Sequence, residues 1–178
     1  GIMIALTGIP VIETPRLILR GPKSSDFEGF AAFTASDRSI HVGGPLSRVM
    51  AWRGFCHATG HWLHRGYSSF IIVDKVTDLP LGMSGPWFPE GWPEPEIAWT
   101  MWVPEAEGKG MAFEAAQAAR AWAYHTLGWT TAISMIAAEN ARSQALARRM
   151  GCTRGADFSH ETFGACQIWR HPSAESLK

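Results

Sequence analysis

The run Glu107-Gly108-Lys109-Gly110-Met111-Ala112 lies between a strand-like stretch, Glu96 to Val103, and an Ala-rich helical stretch, Phe113 to Leu127. Glycines let the backbone approach a ligand closely, and unpaired N–H groups at a helix start act with the helix dipole to favour phosphate. The turn is therefore a candidate anion cradle. Its residues argue against two common phosphate readers. A Walker A loop needs Ser or Thr after its Lys to hold magnesium, and here Gly110 follows Lys109. A dinucleotide fold needs its glycine turn after the first strand, with an acidic residue about 20 positions on; this turn comes late in the chain. His57, His61 and His64 recur at helical spacing, which invites a metal reading. They also fall beside Arg53 and opposite an apolar stripe, so a solvated polar face accounts for them and no metal is expected.

Such a turn needs a strand before it and a helix after it, and the remaining chain reads as more of both. Thr14 to Arg20 is a strand with Leu17 and Leu19 on one face. Ser25 or Asp26 caps a short helix through Ala35, and Ser47 caps a longer one through Arg65, stopped by Gly66. Along the longer helix Val49, Trp52, Cys56, Thr59 and Leu63 share one side, predicted to face the core. Tyr67 to Val73 and Leu81 to Ser84 read as strands, followed by a Pro/Trp loop from Pro86 to Pro95. Beyond the glycine turn come a strand at Thr130–Ile136, a helix capped by Asn140 and stopped by Gly151, and strands at about Thr153–Phe158 and Thr162–Arg170. Hairpins alternating with helices predict a mixed α/β sheet covered by helices, in one domain. Gly1 reads as a tag scar with Met3 nearer the natural start, residues 1–10 as a flexible start, and residues 172–178 as a frayed tail.

In order and spacing these pieces resemble the GNAT acetyltransferases, especially the branch of ribosomal-protein N-terminal (Rim-type) acetyltransferases. That family carries Gln/Arg-x-x-Gly-x-Gly/Ala between its fourth strand and third helix; this chain has Glu107-x-x-Gly110-x-Ala112. Glu96-Ile97, Gly108-Lys109-Gly110 and Glu114-Ala115 match the branch's longer signature. About 30 residues on, Asn140-Ala141-Arg142-Ser143 matches its Asn-x-x-Ser, and Met150-Gly151-Cys152 its helix end at Gly-Phe. Glu13 to Arg20 looks like its first strand, so the resemblance runs from there to the last strand. It implies a mostly antiparallel sheet of about seven strands, splayed between the fourth and fifth and flanked by about four helices. It also implies acetyl-CoA as donor and CoA as product. The pyrophosphate would lie on the backbone of Glu107, Gly108, Lys109, Gly110, Met111 and Ala112. The pantetheine would pair with the strand edge at Met101, Trp102 and Val103, and Asn140 would touch its arm. The chain departs from the pattern in three places. Glu107 replaces Gln or Arg, expected to point to solvent with Lys109 offsetting its charge. Ala147 stands where many relatives carry a tyrosine acid. Cys152 replaces Phe.

An aliphatic amine, with a pKa near ~10, attacks a thioester only after losing its proton. Glu96, at the start of the strand leading to the turn, is the first candidate for the general base by resemblance to GNAT enzymes with a carboxylate there. Its alternative is a surface Glu at a strand end. Glu94 and His41 are weaker candidates, and water-mediated proton loss is a serious alternative. Ser143 is the candidate hydrogen-bond donor to the leaving thiolate, and equally an ordinary helix-start residue beside the Asn140 cap. The expected reaction is direct acetyl transfer to a primary amine of a small molecule or a protein N-terminus, with no covalent enzyme intermediate. A non-catalytic acyl-CoA sensor on the same fold is the alternative. The Pro/Trp loop is expected to line the acceptor site or form a homodimer contact, because so many Trp are costly to expose.

Composition narrows the remaining classes. Lys+Arg and Asp+Glu are 16 each, so net charge makes no case for nucleic acid. No apolar run is long enough to span a membrane. Three cysteines without CxxC spacing suit a reduced cytoplasmic protein.

Overall fold

The computed structural model describes residues 2, 4–161 and 163–178. Gly1, Met3 and Thr162, and with them the readings of a tag scar, a natural start and the onset of the last strand, lie outside the described residues. Among the described residues eight strands form one sheet. In chain order they are β1 (Ile12–Glu13), β2 (Leu17–Arg20), β3 (Phe70–Asp74), β4 (Pro80–Trp87), β5 (Glu96–Met101), β6 (Ile133–Ile136), β7 (Thr153–His160) and β8 (Gly164–Arg170). Their spatial order is β1-β2-β3-β4-β5-β6-β8-β7. The predicted count of about seven becomes eight because the first strand is two: Thr14 turns the chain, its N–H donating to Leu17 O at 2.9 Å. Every neighbouring pair is antiparallel except β5 and β6.

The described residues include four α-helices that cover the sheet: α1 (Phe27–Ala35), α2 (Arg48–Arg65), α3 (Met111–His125) and α4 (Ala141–Arg149). β3 is buried along both faces because helices lie on both sides. Phe70 and Ile72 pack with Leu17, Leu19 and α3, while Ile71 and Val73 pack with Phe33 of α1 and Trp102. On α3, Ala115, Ala116, Ala119 and Ala123 are fully buried, so small side chains bring that helix close to the sheet. Close seating of α3 fixes where its N-terminus, and the glycine turn before it, must sit.

α2 corrects two expectations. Ser47 Oγ accepts from Met50 N–H and Gly66 ends the helix in the left-handed region, as the sequence predicts. The buried side, however, is Ala51, Phe55, His61 and Trp62, whereas Val49, Trp52 and Leu63 are 65%, 54% and 67% exposed. Phe55 and Ala51 pack against Phe27 and Ala31 of α1, so the partner helix chose the face and overrode the larger apolar stripe. His61 is consequently a core residue. Its Nδ1–H donates to Tyr67 O at 2.6 Å, its Nε2 accepts from Phe88 N–H at 3.0 Å, and its ring stacks on Trp87 at 4.4 Å. With both nitrogens committed and burial pushing its pKa down, His61 is a neutral structural group. Among the described residues no His/Cys/Asp/Glu cluster could hold a metal.

The remaining differences are local. Pro86 and Trp87 extend β4, so the Pro/Trp loop starts at Phe88. The tail is tied back: Ala174 N–H donates to Thr130 O at 3.0 Å, and Tyr124 Oη donates to Pro172 O at 2.7 Å. No helix among the described residues is long and apolar enough to cross a membrane.

Candidate active site

The site begins where the sheet opens. β5 and β6 run parallel but share a single register pair, Glu96 with Ile133. Beyond it the strands diverge, and side chains fill the gap that backbone pairing leaves. Met135 N–H donates to Glu96 Oε2 at 2.8 Å, and Ser134 Oγ–H donates to Ile97 O at 2.6 Å. Trp92 Nε1–H, from the Pro/Trp loop, donates to Glu96 Oε1 at 2.9 Å. Glu96 is 6% exposed, which removes the surface-Glu alternative. Burial raises its pKa to about 7, against the two hydrogen bonds that favour the ionised form. The weaker candidates sit differently. Glu94 is held by Arg170 through two contacts of 2.8 and 2.7 Å, which lowers its pKa. His41 is exposed at the rim of both cavities described next.

Two cavities flank the opening. The larger, 590 Å³, runs along the glycine turn and the first turns of α3 and α4. The smaller, 310 Å³, has Glu96 in its wall. They share Trp99, Thr100, Asn140 and Ser143, so the two chambers meet at the N-terminus of α4. There Asn140 Oδ1 caps the helix by accepting from Ser143 N–H at 3.3 Å. Ser143 Oγ accepts from Asn140 Nδ2 at 3.1 Å and from Trp99 Nε1 at 3.3 Å. Two donors on the oxygen leave the Ser143 O–H free to donate at the junction. Ala147, one turn on, is fully buried beside Ala116, Met150, Cys152 and Trp169, so that position offers packing and no hydroxyl. Cys152 is packing too: burial lifts its thiol pKa to about 12, far from a thiolate nucleophile.

The glycine turn leaves its backbone N–H groups open to the groove. Gly108 and Gly110 both take φ +75°, a left-handed conformation that glycine adopts without strain. Gly110 is the N-cap of α3 and has no side chain to cap the helix. The N–H groups of Gly108 to Gly110 and of the first turn of α3 therefore have no acceptor among the described residues. Glu107, Gly108, Gly110 and Ala112 line the groove. The side chains of Lys109 and Met111 do not: Lys109 is exposed and Met111 packs on the core. Those two residues can serve the groove through the backbone only.

Glu107 corrects the expectation of a carboxylate in solvent offset by Lys109. It is half-buried and bridges Arg38 and Arg142. Arg38 also donates to Trp102 O at 2.6 Å and Met101 O at 3.1 Å, so it rests on the strand edge expected to pair with pantetheine. Trp102 itself is buried against α1, and Val103 packs on the core around α3. Arg149, stacked over Phe113 at 3.9 Å, adds a third guanidinium to the groove. Sequence reasoning missed all three arginines. Arg142 and Arg149 are seven apart on α4, two helical turns, and that spacing was the available signal. Arg38 comes from a 3-10 segment and gave none. The turn is also clamped from behind. Arg16 Nη1 donates to Lys109 O at 2.8 Å, and its Nε donates to Glu114 Oε1 at 2.7 Å. Glu114 Oε2 accepts from Thr14 Oγ1 at 2.6 Å. Residues of the first strand motif and of the helix start thus form one contact.

These features fit a coenzyme with an elongated arm and a polyphosphate. Backbone N–H groups without acceptors beside Arg142 and Arg149 suit phosphates, and a strand edge whose carbonyls already accept from Arg38 suits amide donors. Comparison with known proteins agrees. The profile of the acetyltransferase (GNAT) domain family matches residues 16–153. An acetyltransferase crystal structure from Agrobacterium tumefaciens str. C58 is similar at 32% identity, covering 97% of this chain and 99% of that one, with a TM-score of 0.85. A putative GnaT-family acetyltransferase from Bordetella pertussis is 25% identical over 92% of this chain and 99% of its own, with a TM-score of 0.77. The same fold occurs in RimL, a ribosomal L7/L12 alpha-N-protein acetyltransferase solved with coenzyme A. That structure is 14% identical over 91% of this chain and 97% of its own, with a TM-score of 0.73. With most of its length matched by the family profile, the chain belongs to the GNAT acetyltransferase family and is an acetyl-CoA-dependent acyltransferase.

Proposed function

We propose that the acyl acceptor is a primary amine, that Glu96 is its general base, and that Ser143 stabilises the leaving thiolate. The observation that carries this reading is the buried Glu96 carboxylate, with a pKa of about 7, in the wall of a chamber that opens onto the donor groove at Ser143. A base with a pKa near the working pH combines a useful ionised fraction with enough basicity to take a proton. Bound acetyl-CoA supplies an acetyl group as an activated thioester. As the amine nitrogen bonds to the acetyl carbon and the C–S bond breaks, Glu96 takes the amine proton, and the Ser143 O–H donates to the departing sulfur. The groove would hold the donor through the N–H groups of Gly108 to Ala112, with Arg142 and Arg149 near the phosphates. Arg38 would yield the carbonyls of Met101 and Trp102 to the pantetheine amides. Asn140 would keep α4 and Ser143 in place.

The test measures thiol release across amines and peptides, beside calorimetry of acetyl-CoA binding. Glu96→Gln should lower kcat/KM by about 10²–10⁴-fold and leave acetyl-CoA affinity unchanged. Tight acetyl-CoA binding with no turnover of any amine would favour the sensor reading instead. An unchanged rate in Glu96→Gln would remove Glu96 as the base.

A further inference from the structure

The smaller chamber carries more than a base. Its walls are rings: Trp87 with His57 at 5.0 Å, and Trp92 with His160 at 4.8 Å. Phe163 stacks on His160 at 4.6 Å and 25°. These residues come from α2, β4, the Pro/Trp loop and the β7–β8 hairpin, so four separate parts of the chain converge on one aromatic lining. Among the described residues Glu96 is the only acid lining the chamber and no Lys or Arg lines it; His41, His57 and His160 are its other titratable side chains besides Cys166. Glu94 and Glu90, the other acids of the neighbouring loop, are paired with Arg170 and Arg65.

Each property excludes a class of acceptor. A polyamine or an aminoglycoside presents several ammonium groups and needs several carboxylates, whereas one is present. A phosphorylated or carboxylated acceptor calls for a permanent cation, and no Lys or Arg among the described residues lines this chamber. A volume of 310 Å³ is near the bottom of the range for small-molecule pockets, about 300–1,000 Å³. Rings packed against one another in this way present flat apolar faces to the chamber, and such faces recognise flat apolar groups through offset or edge-to-face contact. We infer, resting on the amine-acetylation reading above, that the acceptor is a monoamine bearing an uncharged aromatic ring. The ring lies among Trp87, His160 and Phe163, and the single amine points to Glu96.

The experiment compares kcat/KM for tryptamine and the peptide Phe-Ala-Ala with that for spermidine, kanamycin, propylamine and the peptide Ser-Ala-Ala. Preference for tryptamine or Phe-Ala-Ala supports the inference, and the better of the two shows whether the ring arrives on a free amine or a chain terminus. Preference for spermidine, kanamycin, propylamine or Ser-Ala-Ala overturns it while leaving amine acetylation standing. Failure to turn over any acceptor despite acetyl-CoA binding overturns both readings. Phe163→Ala provides an independent check, since Phe163 is half-exposed and outside the core. It should cut the preference for tryptamine over propylamine by about tenfold with acetyl-CoA affinity unchanged. An unchanged preference would sink the aromatic wall even if tryptamine proved a substrate.

Discussion

Glu96 binds two N–H donors yet titrates near neutrality because desolvation outweighs them. Since only the ionised carboxylate can accept a proton, kcat/KM for an amine should climb as pH rises through about 7 and lose that limb in Glu96→Gln; a pH–rate profile checks both. Ser143 acts more modestly. A neutral hydroxyl donating one hydrogen bond is worth ~0.5–1.5 kcal/mol, so Ser143→Ala should lower kcat about two- to tenfold with KM for acetyl-CoA nearly constant. A larger loss, with a fall in helicity, would assign the residue to the α4 cap instead. Ser134 looks like a second hydroxyl available for chemistry, 2.8 Å from His171 Nε2, but its proton goes to Ile97 O. His171 Nδ1 accepts from Arg120 at 3.1 Å, so its proton sits on Nε2 and is donated to Ser134. The chain of donors runs away from any nucleophilic role.

At the scale of elements, the turn before α3 depends on two supports that separate experiments can resolve. Gly110→Val places a β-branched residue at φ +75°, a strain of roughly 1–2 kcal/mol, and crowds the groove, so acetyl-CoA binding should be lost. Arg16→Ala leaves the groove lining intact but frees Lys109 O and Glu114 Oε1. It should weaken acetyl-CoA binding several-fold without changing the pH profile; calorimetry and kinetics together distinguish the two. How legible these elements were follows from how local their causes are. The strand, glycine turn and helix could be read because left-handed glycines and Ala periodicity act within a few residues. The Asn140 cap on Ser143 is equally local. The buried side of α2 could not be read, since α1 chose it across the structure. Nor could the Glu107 bridge, which depends on Arg38 at a distance of 69 residues along the chain. Glu96 was legible as a carboxylate on the right strand; its burial depends on Trp92 and Met135, which only the fold brings to it.

For the whole molecule, the same buried groups set the response to acid. Glu96 rises from 4.5 to about 7 on folding, so its contribution is full below pH 4.5 and is lost as pH rises to 7. His171 is pushed from 6.5 down to about 3 by burial and the neighbouring guanidiniums, so its contribution is full above pH 6.5 and is lost as pH falls toward 3. Each slope is ~1.4 kcal/mol per pH unit, and between pH 4.5 and 6.5 they oppose one another. Stability from these two groups should therefore be flat across that window. His171→Gln should remove one arm, leaving a stability that falls as pH rises from 4.5 to 7; chemical denaturation across that range would reveal the slope, and an unchanged flat profile would count against the balance. The seam between β5 and β6 adds a further consequence. Because Met135 gives its amide proton to the Glu96 carboxylate and not to a neighbouring strand, that backbone N–H and the Trp92 indole N–H are natural spectroscopic witnesses of one side chain. In a ¹⁵N–¹H correlation spectrum both signals should move together as the carboxylate loses its proton, at a midpoint near 7, with no ligand required.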